Sequence, residues 1–173
     1  MVSLADWPSA QLLSSERLSL EPLHVGHAEE MAPLFDDPRL HTFTGGRPLS
    51  LDELGSRYRR QALGRSDDDS QRWFNWIARL QAGGRAVGTV QATVTAQGGI
   101  FVAELAWVIA SPHQRLGYAR EAAGGVAAWL RRQGAQVLVA DIHPKHDASI
   151  KVARALGLTA TEEVIDGEIR WRG

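Results

Sequence analysis

Leu18 and Leu20 alternate with Arg17, Ser19 and Glu21, a period of two that predicts a strand. Ala28, Met31, Ala32 and Phe35 then recur at helical spacing, and Pro33 within that run predicts a short or bent helix. PRLHTFTGGRP, residues 38–48, carries two prolines and the Gly45-Gly46 pair and reads as a loop. Ser50 and Glu53 have capping-box spacing, and Leu51, Leu54, Tyr58 and Leu63 give the helix they open one apolar face. The three aspartates of GRSDDDSQR, residues 64–72, interrupt that pattern and read as a solvated loop.

From Trp73 to Ala110 the alternation predicts an antiparallel meander of WFNWIARL, RAVGTVQATVTA and IFVAELAWVIA, separated by the glycine turns QAGG and QGG. Ala119, Ala122, Ala123, Val126, Ala127 and Leu130 repeat at helical spacing up to about Gly134, although Gly124 and Gly125 weaken the helix. QVLVADI predicts a strand parallel to the last strand of the meander, reached through this crossover helix. A loop, HPKHD, leads to a helix over about Ala148 to Leu156 that stops at Gly157. LTATEEVI and EIRWR then form a hairpin across Asp166-Gly167. No repeat or linker divides the chain, so residues 1–173 are expected to form a single α+β domain.

Composition narrows the chemistry. Nineteen basic against twenty acidic residues give a formal charge of -1, so no global positive field draws the chain to nucleic acid or an anionic membrane. The absence of cysteine excludes disulfides, thiolate metal sites and a covalent cysteine intermediate. No apolar run approaches the ~20 residues of a membrane helix, and the start lacks a basic leader, so a cytoplasmic protein is expected. His143 and His146 are three apart, as are His24 and His27, but no Asp, Glu or Cys completes a convincing ligand set, and no metal is expected. Trp73 and Trp76 fall on opposite strand faces, one for the core and the other for an acceptor groove.

The abrupt change at HQRLGYAREA, residues 113–122, carries the strongest functional signal. A strand, a short loop and a glycine opening a helix make an anion site from unpaired amides and the positive end of the helix dipole. Small residues at Gly117 and Ala119 admit a phosphate to the backbone, and Arg115 and Arg120 add charge. A plain chain reversal at Gly117 is the competing reading. The lysine and hydroxyl residue of a Walker loop are missing, as are the further glycines of a dinucleotide fingerprint.

Gln114-Arg115-Leu116-Gly117-Tyr118-Ala119 resembles the (Gln/Arg)-x-x-Gly-x-(Gly/Ala) loop of the GNAT superfamily of acyl-CoA-dependent N-acetyltransferases, and the predicted element order matches that fold. SERLSLEPL and HDASIKVARALGL are similar to motifs of its branch of bacterial acetyltransferases of ribosomal-protein N-termini. The resemblance covers Ser15 to Trp171. It implies a mixed, mostly antiparallel sheet flanked by helices, with acetyl-CoA as co-substrate. The CoA pyrophosphate is expected on the amides around Arg115 to Arg120, and the pantetheine arm along Trp107, Val108, Ile109 and Ala110 like an added strand. His146 stands where the branch has an asparagine that contacts this arm, and Leu158 stands where it has a phenylalanine.

Transfer to an amine needs a route for the ammonium proton and help for the departing thiolate. Glu104 is the candidate base, because it is the one formally charged residue between Arg85 and Arg115 and shares strand parity with Val102, Ala106 and Val108. An arginine-paired edge glutamate is the structural alternative. By the same resemblance Ser149 is the candidate acid or thiol-positioning group, with a helix cap as its other use. Ala153 occupies the place where other GNAT branches carry a tyrosine acid. The expected reaction is direct acetyl transfer to a primary amine, on a protein or peptide N-terminus or a small molecule such as an aminoglycoside, polyamine or amino acid. A CoA-binding regulatory domain without catalysis is the rival from another class.

Overall fold

The computed structural model describes residues 3–173. One eight-stranded sheet, ordered β1-β2-β3-β4-β5-β6-β8-β7, organises them. Its strands are β1 (Leu13–Ser14), β2 (Leu18–Pro22), β3 (Gln71–Leu80), β4 (Ala86–Gln97), β5 (Ile100–Ile109), β6 (Ala135–Ile142), β7 (Thr159–Ile165) and β8 (Glu168–Arg172). The helices are α1 (Ala28–Leu34), α2 (Leu51–Gln61), α3 (Tyr118–Gln133) and α4 (Asp147–Ala155). Every neighbouring pair is antiparallel except β5 with β6, which the crossover through α3 makes parallel. The mixed α+β architecture expected from the sequence is therefore the observed one.

Alternation divides the sheet into two unlike faces. Leu18, Leu20, Phe74, Trp76, Val90, Ala103, Leu105, Leu138 and Trp171 pack beneath Ala122, Val126, Trp129 and Leu130 of α3 and Val152 and Ala153 of α4. Trp7, from the segment before β1, meets Phe101 and Trp129 edge-on at centroid distances of 5.4 and 6.5 Å. Gln11 holds two of the buried indoles, accepting from Trp76 Nε1 through its backbone oxygen (2.8 Å) and from Trp129 Nε1 through its side chain (3.2 Å). On the opposite face a smaller cluster of Ala28, Met31, Leu54, Tyr58, Ile77 and Ala86 seats α1 and α2.

The local signals map closely onto these elements. Ser50 and Glu53 close the capping box of α2, with the Ser50 amide 2.8 Å from Glu53 Oε2. Asp166 and Gly167 both take left-handed conformations, with φ of 50° and 83°, as a two-residue hairpin turn requires. One expectation needs correction. Leu54 and Tyr58 are buried, whereas Leu51 and Leu63 are 48% and 64% exposed. Leu51 sits at the first position of α2 and Leu63 lies beyond its end, so neither stands over the sheet.

Candidate active site

The parallel pair opens into a fork. β5 and β6 are in register from Phe101 with Ala135 to Glu104 with Val139, and no pairing follows. Beyond this point Leu105 to Ile109 pair with β4 alone, and Ala140 to Ile142 with β8 alone. The backbone of β5 is thus left with an open edge over the stretch expected to meet the pantetheine arm, from Trp107 towards Ala110. Gly88 is necessary to this geometry, because a Cβ there would clash with the Val108 carbonyl oxygen.

A short 3-10 turn, Ser111–His113, carries the chain from β5 into the glycine loop. Arg115 and Gly117 both have left-handed backbones, with φ of 63° and 82°. For Arg115 this is a strained choice, since a non-glycine residue rarely adopts it. Its effect is to turn the chain so that the amides of Arg115, Leu116, Gly117, Tyr118, Ala119 and Arg120 have no acceptor among the described residues. The first intrahelical bond runs from the Glu121 amide to the Gly117 oxygen, 3.1 Å. Consecutive unpaired amides around a helix N-terminus form a nest for an anion. Gln114 Nε2 donates to the Ile109 oxygen at 2.8 Å and ties the loop to β5.

Glu104 occupies the last paired position before the fork. Its side chain points to the face opposite α3 and is 53% exposed. Burial raises its pKa, repulsion from Asp141 raises it further, and Arg170 draws it back. Arg170 from β8 lies 3.3 Å from Glu104 Oε2 but 2.7 Å from Asp141 Oδ2, and it also donates to Asp141 through Nε at 2.8 Å. The guanidinium is therefore committed chiefly to Asp141. Glu168 is also raised, by burial first and then by Asp141, with Glu104 adding to the repulsion. Glu104 thus touches an arginine, while burial and Asp141 hold its pKa above the usual carboxylate value.

The other arm of the fork leads to α4. His146 is its N-cap residue, without a side-chain capping bond. Ser149 lies in the first turn, 9% exposed, with Oγ 3.4 Å from His146 Nε2. The structure therefore does not use Ser149 as the helix cap. Phe43, from the loop after α1, stacks on His146 at 4.4 Å between ring centres and approaches His143 at 5.3 Å. Burial lowers the His146 pKa, and neighbouring His143 lowers it further against the opposing pull of Asp147. The imidazole is thus mainly neutral at neutral pH.

An open groove of about 660 Å³ is lined by the α2 residues Asp52, Ser56, Arg60 and Gln61 and by Gln91 of β4, with Gln61 Nε2 donating to Gln91 Oε1 at 3.4 Å. Gln91 pairs with Ala106, two residues from the Thr93–Glu104 pair on the same sheet face. The core half of the tryptophan expectation is met, since Trp76 is fully buried. Trp73 shares the Glu104 face of the sheet through the row Trp73–Thr93–Glu104, and it lines a cavity of about 320 Å³ with Trp7, Arg65 and Asn75 that shares Gln61 with the α2 groove. That cavity contains neither Glu104, Ser149 nor the glycine loop.

Against the expectation that no acid completes a ligand set with these histidines, Glu21, His24 and His27 lie with their ligand atoms within 4.8 Å of one another. Both His27 ring nitrogens already have partners: Nδ1 accepts from the His24 amide at 3.1 Å, and Nε2 lies 3.3 Å from Glu21 Oε2. The two imidazoles stack at 3.7 Å between ring centres, and the trio forms a hydrogen-bonded turn.

Comparison with known proteins agrees with the geometry. Residues 17–159 match the family model of the acetyltransferase (GNAT) domain. The chain belongs to the GNAT acetyltransferase family, and it is an acetyltransferase. Among curated proteins no match is found. A solved GNAT-family acetyltransferase of Bordetella pertussis is 25% identical, with a TM-score of 0.70 over 94% of this chain and 97% of that one. A ribosomal-protein alpha-N-acetyltransferase in complex with coenzyme A is 14% identical, with a TM-score of 0.78 over 94% and 97%. A microcin self-immunity acetyltransferase in complex with acetyl-CoA and AMP is 11% identical, with a TM-score of 0.72 over 92% and 93%. The last two share the fold with this chain, and their differing names show that the fold alone does not select an acceptor. No helix among the described residues is long and apolar enough to cross a membrane.

The sequence had singled out Glu104, Ser149, His146 and the loop. It did not single out Asp141, Arg170, Glu168 or Phe43. Asp141 had a readable signal, a lone carboxylate in the apolar run QVLVADI. Arg170 and Phe43 had none, because their neighbours here are remote in sequence.

Proposed function

We propose that this protein transfers acetyl from acetyl-CoA to a primary amine, with a protein or peptide N-terminal amine as the acceptor. The observation that carries this reading is the run of unpaired amides from Arg115 to Arg120 beside the fork whose vertex is Glu104. These amides suit a diphosphate, and Trp107 to Ala110 offer an extended edge to an amide-containing arm. Bound there, acetyl-CoA would supply an activated acetyl thioester.

The chain's own residues supply the rest. Glu104, with its raised proton affinity, takes the proton from the incoming ammonium, directly or through water. Asp141 and Glu168 add negative potential that favours a cation at that point. Ser149, held beside neutral His146, donates a hydrogen bond towards the departing sulfur. An α-amine, with a pKa of about 8, yields its proton far more readily than a lysine amine at about 10.4, so a carboxylate base suits it better. The open groove beside α2 also leaves room for a chain that continues past its first residue.

Thiol release from acetyl-CoA, measured across peptides with free and blocked N-termini and a set of polyamines, amino acids and aminoglycosides, tests the proposal. Turnover confined to free peptide N-termini supports it. Turnover confined to small amines moves the acceptor class. CoA binding without turnover on any member identifies a regulatory domain.

A further inference from the structure

The glycine loop is held by residues from the opposite end of the chain. Glu121, in the first turn of α3, accepts hydrogen bonds of 2.7 Å from Ser15 Oγ, the Arg17 amide and Arg17 Nε. Arg17 Nη1 donates to the Leu116 oxygen at 2.9 Å, and the guanidinium lies 4.6 Å over the Tyr118 ring. Two guanidinium nitrogens are therefore spent on fixing Arg17 against the loop. The third, Nη2, has no hydrogen bond among the described residues and would lie 3.3 Å from a Cβ at Gly117. It is an oriented, unspent donor next to the unpaired amides.

Glu121 makes this arrangement consequential. A carboxylate in the first turn favours a helix but repels an anion bound at the same N-terminus. Burial disfavours its charge, yet the bonds from Ser15 and Arg17 prevail and its pKa is lowered, so it remains ionised at neutral pH. Arg17 cancels that charge and leaves a donor over.

We infer that Arg17 is a diphosphate-binding residue of the acyl-donor site, with Glu121 as the residue that orients it. Arg17 Nη2 donates to the diphosphate, while Nε and Nη1 hold the loop in the conformation that exposes its amides. This rests on the reading of the loop as a CoA diphosphate site, and it adds a residue about a hundred positions away in sequence.

Calorimetric titration with CoA and with pantetheine, which lacks the diphosphate, separates the two. Wild type should bind CoA far more tightly than pantetheine. Arg17→Ala should weaken CoA binding roughly 10- to 100-fold, the range of one charge-assisted hydrogen bond, and leave pantetheine within about twofold. Adding Glu121→Gln to Arg17→Ala should recover part of the loss, because the unpaired carboxylate is gone. Arg17→Lys, which keeps the charge without the fork of donors, should fall between wild type and Arg17→Ala and provides the reading if the alanine variant does not fold. Unchanged CoA affinity in Arg17→Ala, or equal losses for CoA and pantetheine, overturns the inference. A wild type that binds CoA no better than pantetheine overturns the loop reading itself.

Discussion

The two halves of the candidate site are built in opposite ways. The loop from Gln114 to Arg120 is a contiguous backbone device, whose function follows from left-handed φ at Arg115 and Gly117 and from amides that nothing else occupies. The carboxylate cluster at the fork is a side-chain device, with Glu104 from β5, Asp141 from β6, and Glu168 and Arg170 from β8. The loop owes its polarity to the backbone geometry of a few adjacent residues, which Arg17 braces through Leu116 and Glu121. The cluster owes its proton affinity to a balance of burial, repulsion and one shared guanidinium, and it is correspondingly easier to retune. This contrast yields four predictions.

The largest effect is expected where a single cluster member carries chemistry. Glu104→Gln should keep the fold and CoA binding while lowering turnover ~100- to 10,000-fold at neutral pH, the usual contribution of a general base. The deficit should narrow as rising pH deprotonates the amine unaided. A pH–rate profile within a few-fold of wild type throughout would reduce Glu104 to a partner of Arg170.

The loop should break just as cleanly but in binding. Gly117→Val forces a β-branched residue to φ of 82° and blocks the adjacent amides. Loss of two charge-assisted bonds corresponds to a fall in CoA affinity on the order of 100-fold or more, seen as loss of the CoA-induced rise in melting temperature. A folded variant stabilised by CoA as strongly as wild type would remove the loop from the site.

Smaller and opposite shifts should follow from retuning the cluster. Asp141 raises the Glu104 pKa and Arg170 lowers it. Asp141→Asn removes repulsion and frees Arg170 for Glu104, so the acid limb of kcat/KM should move to lower pH. Arg170→Met removes the attraction and leaves the carboxylates facing one another, so the limb should move to higher pH. Shifts in the same direction would show that Glu104 does not govern that limb.

The smallest effect is expected at Ser149. Ser149→Ala should reduce turnover about tenfold, the low side of proton-transfer contributions, with CoA affinity unchanged. Because His146, not Ser149, occupies the cap position, the ~1 kcal/mol typical of a lost cap should be absent from the melting curve. A fall in stability with full turnover would reverse that assignment.

Much of the fold was legible before any coordinates. The meander, the crossover helix, the capping box at Ser50 and the turn at Asp166-Gly167 are set by interactions within a few residues, and periodicity or turn chemistry records those directly. The unpaired loop was legible for the same reason. Leu51 and Leu63 show the limit, since helical spacing cannot tell whether a sheet lies beneath the end of a helix.

The sequence by itself determined the order of the elements and the place of the glycine turn that opens α3, because both arise from backbone preferences of adjacent residues. Tertiary structure alone decided where β5 and β6 part, and that Trp73 lines a cavity with Trp7 and Arg65. It also decided that Arg170 divides itself between Asp141 and Glu104, and that Arg17 reaches Leu116. Strand divergence and charge balance depend on groups brought together from distant segments, and their energies exist only once the sheet has assembled.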